Sequence, residues 1–217
     1  MIDFDVIKTG SKGNAVLINK DILVDCGVPF KVIQPYLDSI TKVCITHRHT
    51  DHLNIVTLKK MVLLKPTIVF ICNMDVYPIL KNEVGAKLIH CVSTEKKLVF
   101  KKVEIQAFAC IHDVQTYGYK FNFKENNEKV FYATDTGNLD KVEAKNYDLF
   151  LIEANYKTNE LIKRIKNKEG YKQEWRTIDT HLSYEQAMQF LAENSKPSSQ
   201  YCLLHEHAIT QEEMSWE

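Results

Sequence analysis

His47-Arg48-His49-Thr50-Asp51-His52 sets three imidazoles and a carboxylate within six positions, directly after the apolar run Val43-Cys44-Ile45-Thr46. A loop that merely faces solvent gains nothing from this density of metal-binding groups, whereas a divalent ion needs several of them converging from a rigid support. With His47 and His49 leaving a strand end and Asp51 and His52 on the following turn, the four side chains fall into two pairs. Two pairs predict two metals, each still short of ligands.

Further along the chain, His112 follows the apolar stretch 105–111, Asp135 sits in Ala133-Thr134-Asp135-Thr136-Gly137, and His205 ends the run 201–204. Each stands just beyond a strand-like segment, where layered α/β proteins build their sites. Strand patterns fall at 2–7, 15–18, 22–24, 43–46, 67–72, 98–100, 103–108, 117–123, 129–133, 149–153 and 201–204, and helical periodicity at 53–64, 161–168 and 184–194. Glu125-Asn126-Asn127-Glu128 reads as a hairpin turn. Strands in two groups with a few covering helices predict two packed sheets flanked by helices. At 217 residues, with no low-complexity linker, residues 1–217 are expected to form one domain.

Twenty-eight basic and 28 acidic residues give a formal net charge of zero, so contact with a polyanion has to be local. Asp3 and Asp5 interrupt the N-terminus, and no apolar run approaches bilayer length, so a soluble, cytoplasmic protein is expected. The six cysteines, Cys26, Cys44, Cys72, Cys91, Cys110 and Cys202, are scattered, lack a Cys-x-x-Cys pair and read as buried free thiols. His90 reads as an ordinary polar residue at a strand end, while His207 rivals His205 for a ligand position.

His-x-His-x-Asp-His followed by a separate His, an Asp and a last His resembles the metallo-β-lactamase-fold hydrolases, across nearly the whole chain. Leu23-Val24-Asp25-Cys26-Gly27 is similar to that family's first motif, and Thr9-Gly10-Ser11-Lys12-Gly13-Asn14 to its glycine-rich turn. Gly10 to Ala15, His112-Asp113, Ile152-Glu153-Ala154-Asn155 and His181-Leu182-Ser183 together look like the small YycJ-type branch, common in bacteria and their phages and described as DNA exonucleases; ribonuclease Z is a more distant likeness. The resemblance implies an α/β fold, a four-layer αββα sandwich with a two-metal site. It assigns His47, His49 and His112 to one metal, Asp51, His52 and His205 to the other, and Asp135 as the bridge. A water or hydroxide between the ions would be the nucleophile, oriented by Asp51, with Asp25 supporting the ligands by hydrogen bonding.

Departures from the family pattern narrow the chemistry. Asp135 stands where the lactamases proper place a Cys, and His49 where the diiron members have a Glu. Both favour a hydrolytic pair of divalent ions, zinc with manganese as the alternative. The element beginning at His181 is similar to one whose His contacts phosphate or protonates the leaving oxygen in ribonuclease Z and YycJ-type proteins; a structural residue at a helix start is the other reading. Between Tyr156 and Arg176 lie Lys157, Lys163, Arg164, Lys166, Lys168, Lys172 and Arg176, interleaved with Tyr156, Tyr171 and Trp175. They suit a nucleic acid backbone, with Lys163, Arg164, Lys166 and Arg176 as substrate contacts, although a solvated helix carries similar charges.

The expectation is therefore a dinuclear phosphodiesterase, foremost a nuclease acting on DNA. A cyclic-nucleotide or other small phosphodiesterase is the first alternative, and a thioesterase or lactonase the second. The spacing from Asp135 to His205 leaves no room for a large inserted domain, and that from His112 to Asp135 none for a tRNA-binding arm. Relatives of this fold often form homodimers, and no segment of the sequence locates such an interface.

Overall fold

Residues 1–96 lay their strands side by side in the order of synthesis: β1 (Phe4–Lys8), β2 (Ala15–Ile18), β3 (Ile22–Val24), β4 (Lys42–Cys44), β5 (Val69–Cys72) and β6 (Leu88–Cys91). The computed structural model describes residues 2–167 and 171–205, without the side chains of 171–174. β1 to β3 pair antiparallel through short turns, and β3 to β6 pair parallel. Parallel neighbours need a crossover. Here the crossovers are α1 (Phe30–Ile33) with a 3-10 turn, then the His-rich hexapeptide with α2 (Ile55–Leu64), then a π-helical turn at Ile79–Val84.

Every residue of β2 and β3 is buried, the mark of strands covered on both faces. One face, with Leu17, Leu23, Val43 and Phe70, packs on Ile33, Leu58, Met61 and Leu80. The expected strand 43–46 stops at Cys44 for a specific reason. The Ile45 N–H still donates across the sheet to Ile71 O at 2.9 Å, but the Thr46 N–H turns to the Asp25 carboxylate at 2.8 Å. Ladder bonding yields there to the site. β6 escapes sequence patterning because it is an exposed edge strand, and Cys91 at its end is exposed; Cys110 and Cys202 are half-buried, so only Cys26, Cys44 and Cys72 fit the buried-thiol expectation.

From Lys97 to the last described residue, His205, the chain forms a second compact unit on a second sheet, ordered β12-β11-β10-β9-β8-β7. Its strands are β7 (Lys97–Val99), β8 (Val103–Cys110), β9 (Thr116–Phe123), β10 (Glu128–Ala133), β11 (Tyr147–Glu153) and β12 (Ser195–Leu204). β7 to β10 are antiparallel, with the expected hairpin turn before β10, and β10 to β12 are parallel. The polar start Ser195-Lys196-Pro197-Ser198 hides the first half of β12 from sequence patterning. The helices are α3 (Thr158–Lys166), α4 (Tyr171–Thr180) and α5 (Tyr184–Asn194). Ser183 and Gln186 close a reciprocal capping box at the start of α5. Ala187, Phe190 and Leu191 of α5 then pack on Phe131, Phe150 and Ile152.

In both units the functional edge is the carboxyl end of the parallel strands. Asp25, Thr46 and Asn73 leave β3, β4 and β5 there; Asp135, Glu153 and His205 stand at the ends of β10, β11 and β12, and His112 lies two residues past β8. Asp25, Asp135 and His205 all hold left-handed backbone, with φ of 60°, 53° and 57°. Such strain at non-glycine residues concentrates at functional sites.

Gly27 tests the packing beneath the hexapeptide, because a Cβ at that position would come within 1.7 Å of Asp51 O and 2.0 Å of Asp51 C. Gly27→Ala is expected to lose roughly 1–3 kcal/mol of stability and to weaken divalent-metal binding, read by urea unfolding and metal titration. Gly85→Ala, where nothing lies within 4 Å of the added carbon, should spare metal binding. A Gly27→Ala protein that binds metal like wild type would contradict this packing.

Candidate metal centre

Asp25 is fully buried, and three donors converge on its carboxylate. The Thr46 N–H reaches Oδ1 at 2.8 Å, the Thr46 hydroxyl both oxygens at 3.0 Å, and His52 Nδ1 lies 2.7 Å from Oδ2. These contacts fix proton positions. With its hydroxyl proton given to Asp25, Thr46 Oγ1 accepts from His47 Nδ1 at 3.0 Å. Both imidazoles then carry hydrogen on Nδ1 and keep Nε2 as a lone pair, the form a metal ligand requires. The rings of His47 and His52 are 4.1 Å apart, and those of His47 and His49 4.7 Å. Burial lifts the Asp25 carboxyl above its ordinary value, and the His52 charge and the hydrogen bonds only partly draw it back.

Asn14 shapes the loop itself. Its N–H donates to Asp51 O at 2.7 Å, and its side-chain nitrogen lies 3.2 Å from the same oxygen and 2.8 Å from His52 Nε2. Asp51 is half-buried, with Oδ2 3.6 Å from His52 Nε2. The hexapeptide thus presents His47, His49, Asp51 and His52 together, as the sequence predicts. The turn continues into α2, whose first turn is capped by Asn54 accepting from the Thr57 N–H.

In the second unit, one ligand atom from each of Asp135, Glu153, His181 and His205 lies within 4.8 Å of the others. His181 follows α4 directly. Its Nδ1 is 2.7 Å from Glu153 Oε1 and 3.4 Å from Asp135 Oδ1, and its ring stacks on His205 at 5.4 Å. His112, 5.3 Å from the His181 ring, donates from Nδ1 to Thr180 O at 2.9 Å. Asn155 lies 3.0 Å from His205 Nδ1 and donates to His205 O, fixing that residue's backbone.

Glu153 is the counterpart of Asp25. Fully buried, it accepts backbone N–H bonds from Thr136 and Leu182 at 3.1 and 3.2 Å besides its contact with His181. Burial alone would raise its pKa, but the His181 charge and the hydrogen bonds from His181 and His205 hold it below the ordinary value. Burial likewise opposes a charge on His181, yet the Glu153 charge and hydrogen bond, with Asp135, lift its pKa above the ordinary value.

Comparison with known proteins gives a match to the Beta-lactamase superfamily domain over residues 20–205. The chain belongs to that superfamily. Its fold is the metallo-β-lactamase fold, and it is a hydrolase of that class. Solved structures with this fold include the metallo-beta-lactamase fold protein YhfI from Bacillus subtilis, at 18% identity and a TM-score of 0.70, covering 95% of this chain and 86% of that one. Human tRNase Z, short form, aligns at 16% identity and a TM-score of 0.72, over 97% and 94% of the two chains. A diphosphatase from the PhnP family aligns at 14% identity and a TM-score of 0.68, over 95% and 88%. At these identities the likeness is one of fold. Curated proteins give no match.

The donors of this superfamily member are imidazoles and carboxylates, with the Nδ1 edges of His52 and His47 held by Asp25 and Thr46. Such a set suits a divalent ion of the zinc or manganese kind. Sequence reasoning gave no role to Glu153, Thr46, Asn14 or Asn155, although Glu153 carries the same signal as Asp25, an acid directly after an apolar run, 149–152 in one case and 22–24 in the other. In the basic segment, Lys163 and Lys166 are exposed on α3 and Arg164 is half-buried, whereas exposed Arg176 pairs with Asp113 beside His112. Tyr156 corrects the expectation of an aromatic face: it is buried at 6% and bridges to Ser183, leaving half-exposed Trp175. Lys168 and His207, and the side chains of Tyr171 and Lys172, lie outside the described residues.

The Glu153–His181 pair makes the metal-free hydrolase pH-sensitive. A raised His pKa stabilises fully below the unfolded value of 6.5 and is lost as pH rises through the folded value; a lowered Glu pKa stabilises above 4.5 and is lost as pH falls through its folded value. The thermal midpoint difference between wild type and His181→Asn should therefore peak between pH 4.5 and 6.5 and shrink on either side. A difference independent of pH would contradict the pairing.

Proposed function

We propose that this hydrolase is a cytoplasmic dinuclear phosphodiesterase acting on DNA, with residues 1–217 working as one catalytic domain. The observation that carries the reading is His181, held by buried Glu153 at 2.7 Å next to Asp135 and His205. A protonated imidazole beside a metal-binding cluster is what phosphodiester cleavage needs, because the departing alkoxide must receive a proton. The resemblance carries over His47, His49 and His112 for one ion, Asp51, His52 and His205 for the second, and Asp135 for both. A bound pair of zinc or manganese ions supplies an acidified water and charge stabilisation.

Each side chain has a defined task in this reading. Asp25 and Thr46 hold two imidazoles in the ligating tautomer, Asp51 orients the attacking water, and Glu153 keeps His181 protonated and aimed. Lys163, Arg164 and Lys166 engage the phosphate backbone, with Arg176 placed by Asp113 near the reacting edge of its own unit. That solved structures of the same fold include a tRNase Z and a diphosphatase supports a phosphate ester over a thioester or lactone. A small phosphodiester such as a cyclic nucleotide is the second reading, favoured by the zero net charge.

Protein loaded with zinc or manganese should hold two ions per chain and cleave linear DNA and bis-p-nitrophenyl phosphate. Hydrolysis of a thioester with every phosphodiester untouched would overturn the assignment. His181→Ala should keep both ions and lose about 10²- to 10⁴-fold in turnover. Replacing Lys163, Arg164 and Lys166 together by Gln should weaken DNA binding and flatten its salt dependence while sparing bis-p-nitrophenyl phosphate. Equal losses on both substrates would assign these residues to the fold instead.

A further inference from the structure

Cys72 closes β5 and Cys91 closes β6, and the two are direct partners across the parallel ladder. Partners in a ladder point to the same face, and here the two thiols are hydrogen-bonded to each other. A third sulfur joins them: Met74 Sδ lies 3.1 Å from Cys91 Sγ. The backbone that presents these atoms is fixed, since the Val92 N–H donates to Cys72 O at 2.9 Å. Asn73, between Cys72 and Met74, donates to Thr46 O at 3.1 Å and accepts from the Val76 N–H at 3.0 Å.

Cys72 alone reads as a small core residue, fully buried. Its neighbours do not fit that reading. Cys91 is exposed, and Met74 is 65% exposed, so two sulfurs sit at the surface above a third that is enclosed. Thiolate and thioether donors without hard partners select soft d¹⁰ ions over zinc, manganese or magnesium.

We propose that Cys72, Met74 and Cys91 form a binding site for a soft monovalent cation, copper(I), separate from the hydrolytic centre. Binding exchanges two S–H bonds for two Cu–S bonds, releases two protons and leaves the oxidation state unchanged; the Met74 thioether completes a three-coordinate set. Burial, with the neighbouring Cys91, pushes the Cys72 thiol up to about 12, and burial raises Cys91 too, so affinity climbs with pH. Because Asn73 ties this corner to Thr46, the site stands one hydrogen bond from the residue that orients His47.

The test uses the full zinc-loaded chain under anaerobic conditions, competing with bathocuproine disulfonate for copper(I). Wild type should withdraw one copper(I) per chain from the chelator. Cys91→Ser and Met74→Leu change only exposed side chains and should fold; the first should lower affinity by about 100-fold and the second by about tenfold. Cys110→Ser and Cys202→Ser should leave it unchanged. Failure of wild type to compete, or equal affinity in Cys91→Ser, would overturn the site. So would a chain that excludes copper(I) and instead forms a Cys72–Cys91 disulfide with peroxide.

Discussion

Two carboxylates buried without access to water, Asp25 and Glu153, constrain the rest of the arrangement. A charge in that position is tolerated only when several donors meet it, and removing one partner of such a pair typically costs about 3–5 kcal/mol. The donors supplied are backbone N–H groups, a threonine hydroxyl and imidazoles. Satisfying the acid therefore orients the histidines. The same contacts that make the buried charge affordable hold the Nδ1 edges of His47 and His52 and leave Nε2 of each as the ligating nitrogen.

The two acids are not equivalent in the metal-free protein. Glu153 is held below its ordinary pKa, so its interactions outweigh burial, whereas Asp25 is held above, so burial wins. Burial thus opposes the charged form of Asp25 more than its hydrogen bonds favour it, and the reverse holds at Glu153. The left-handed backbone at Asp25, Asp135 and His205 places strain at the same strand ends.

Much of this was legible in the sequence because the site is built from strand ends. An apolar run followed by His, Asp or a glycine-rich turn marks each one, and the seven expected ligands all stand just past strands or in the hexapeptide turn. Strands buried on both faces were also readable, with 15–18 and 22–24 recovered to the residue. Two stretches at sheet edges were not: β6 is exposed and the first half of β12 is exposed and polar, so burial imposes no pattern on them. Supporting residues hid for a different reason. Thr46, Asn14 and Asn155 act through geometry between segments distant in sequence, and no spacing rule announces a hydroxyl that will relay a hydrogen bond. Tyr156 misled because an aromatic among lysines looks the same whether it faces solvent or core.

The central claim is that Asp25, directly and through Thr46, sets the proton positions of His52 and His47. Nitrogen-15 NMR of the histidine rings in the metal-free protein measures those positions. The account predicts that both rings carry hydrogen on Nδ1 with Nε2 bare, and that Asp25→Asn redistributes the tautomers of both. Hydrogen on Nε2 of His52 in the wild-type protein would contradict it.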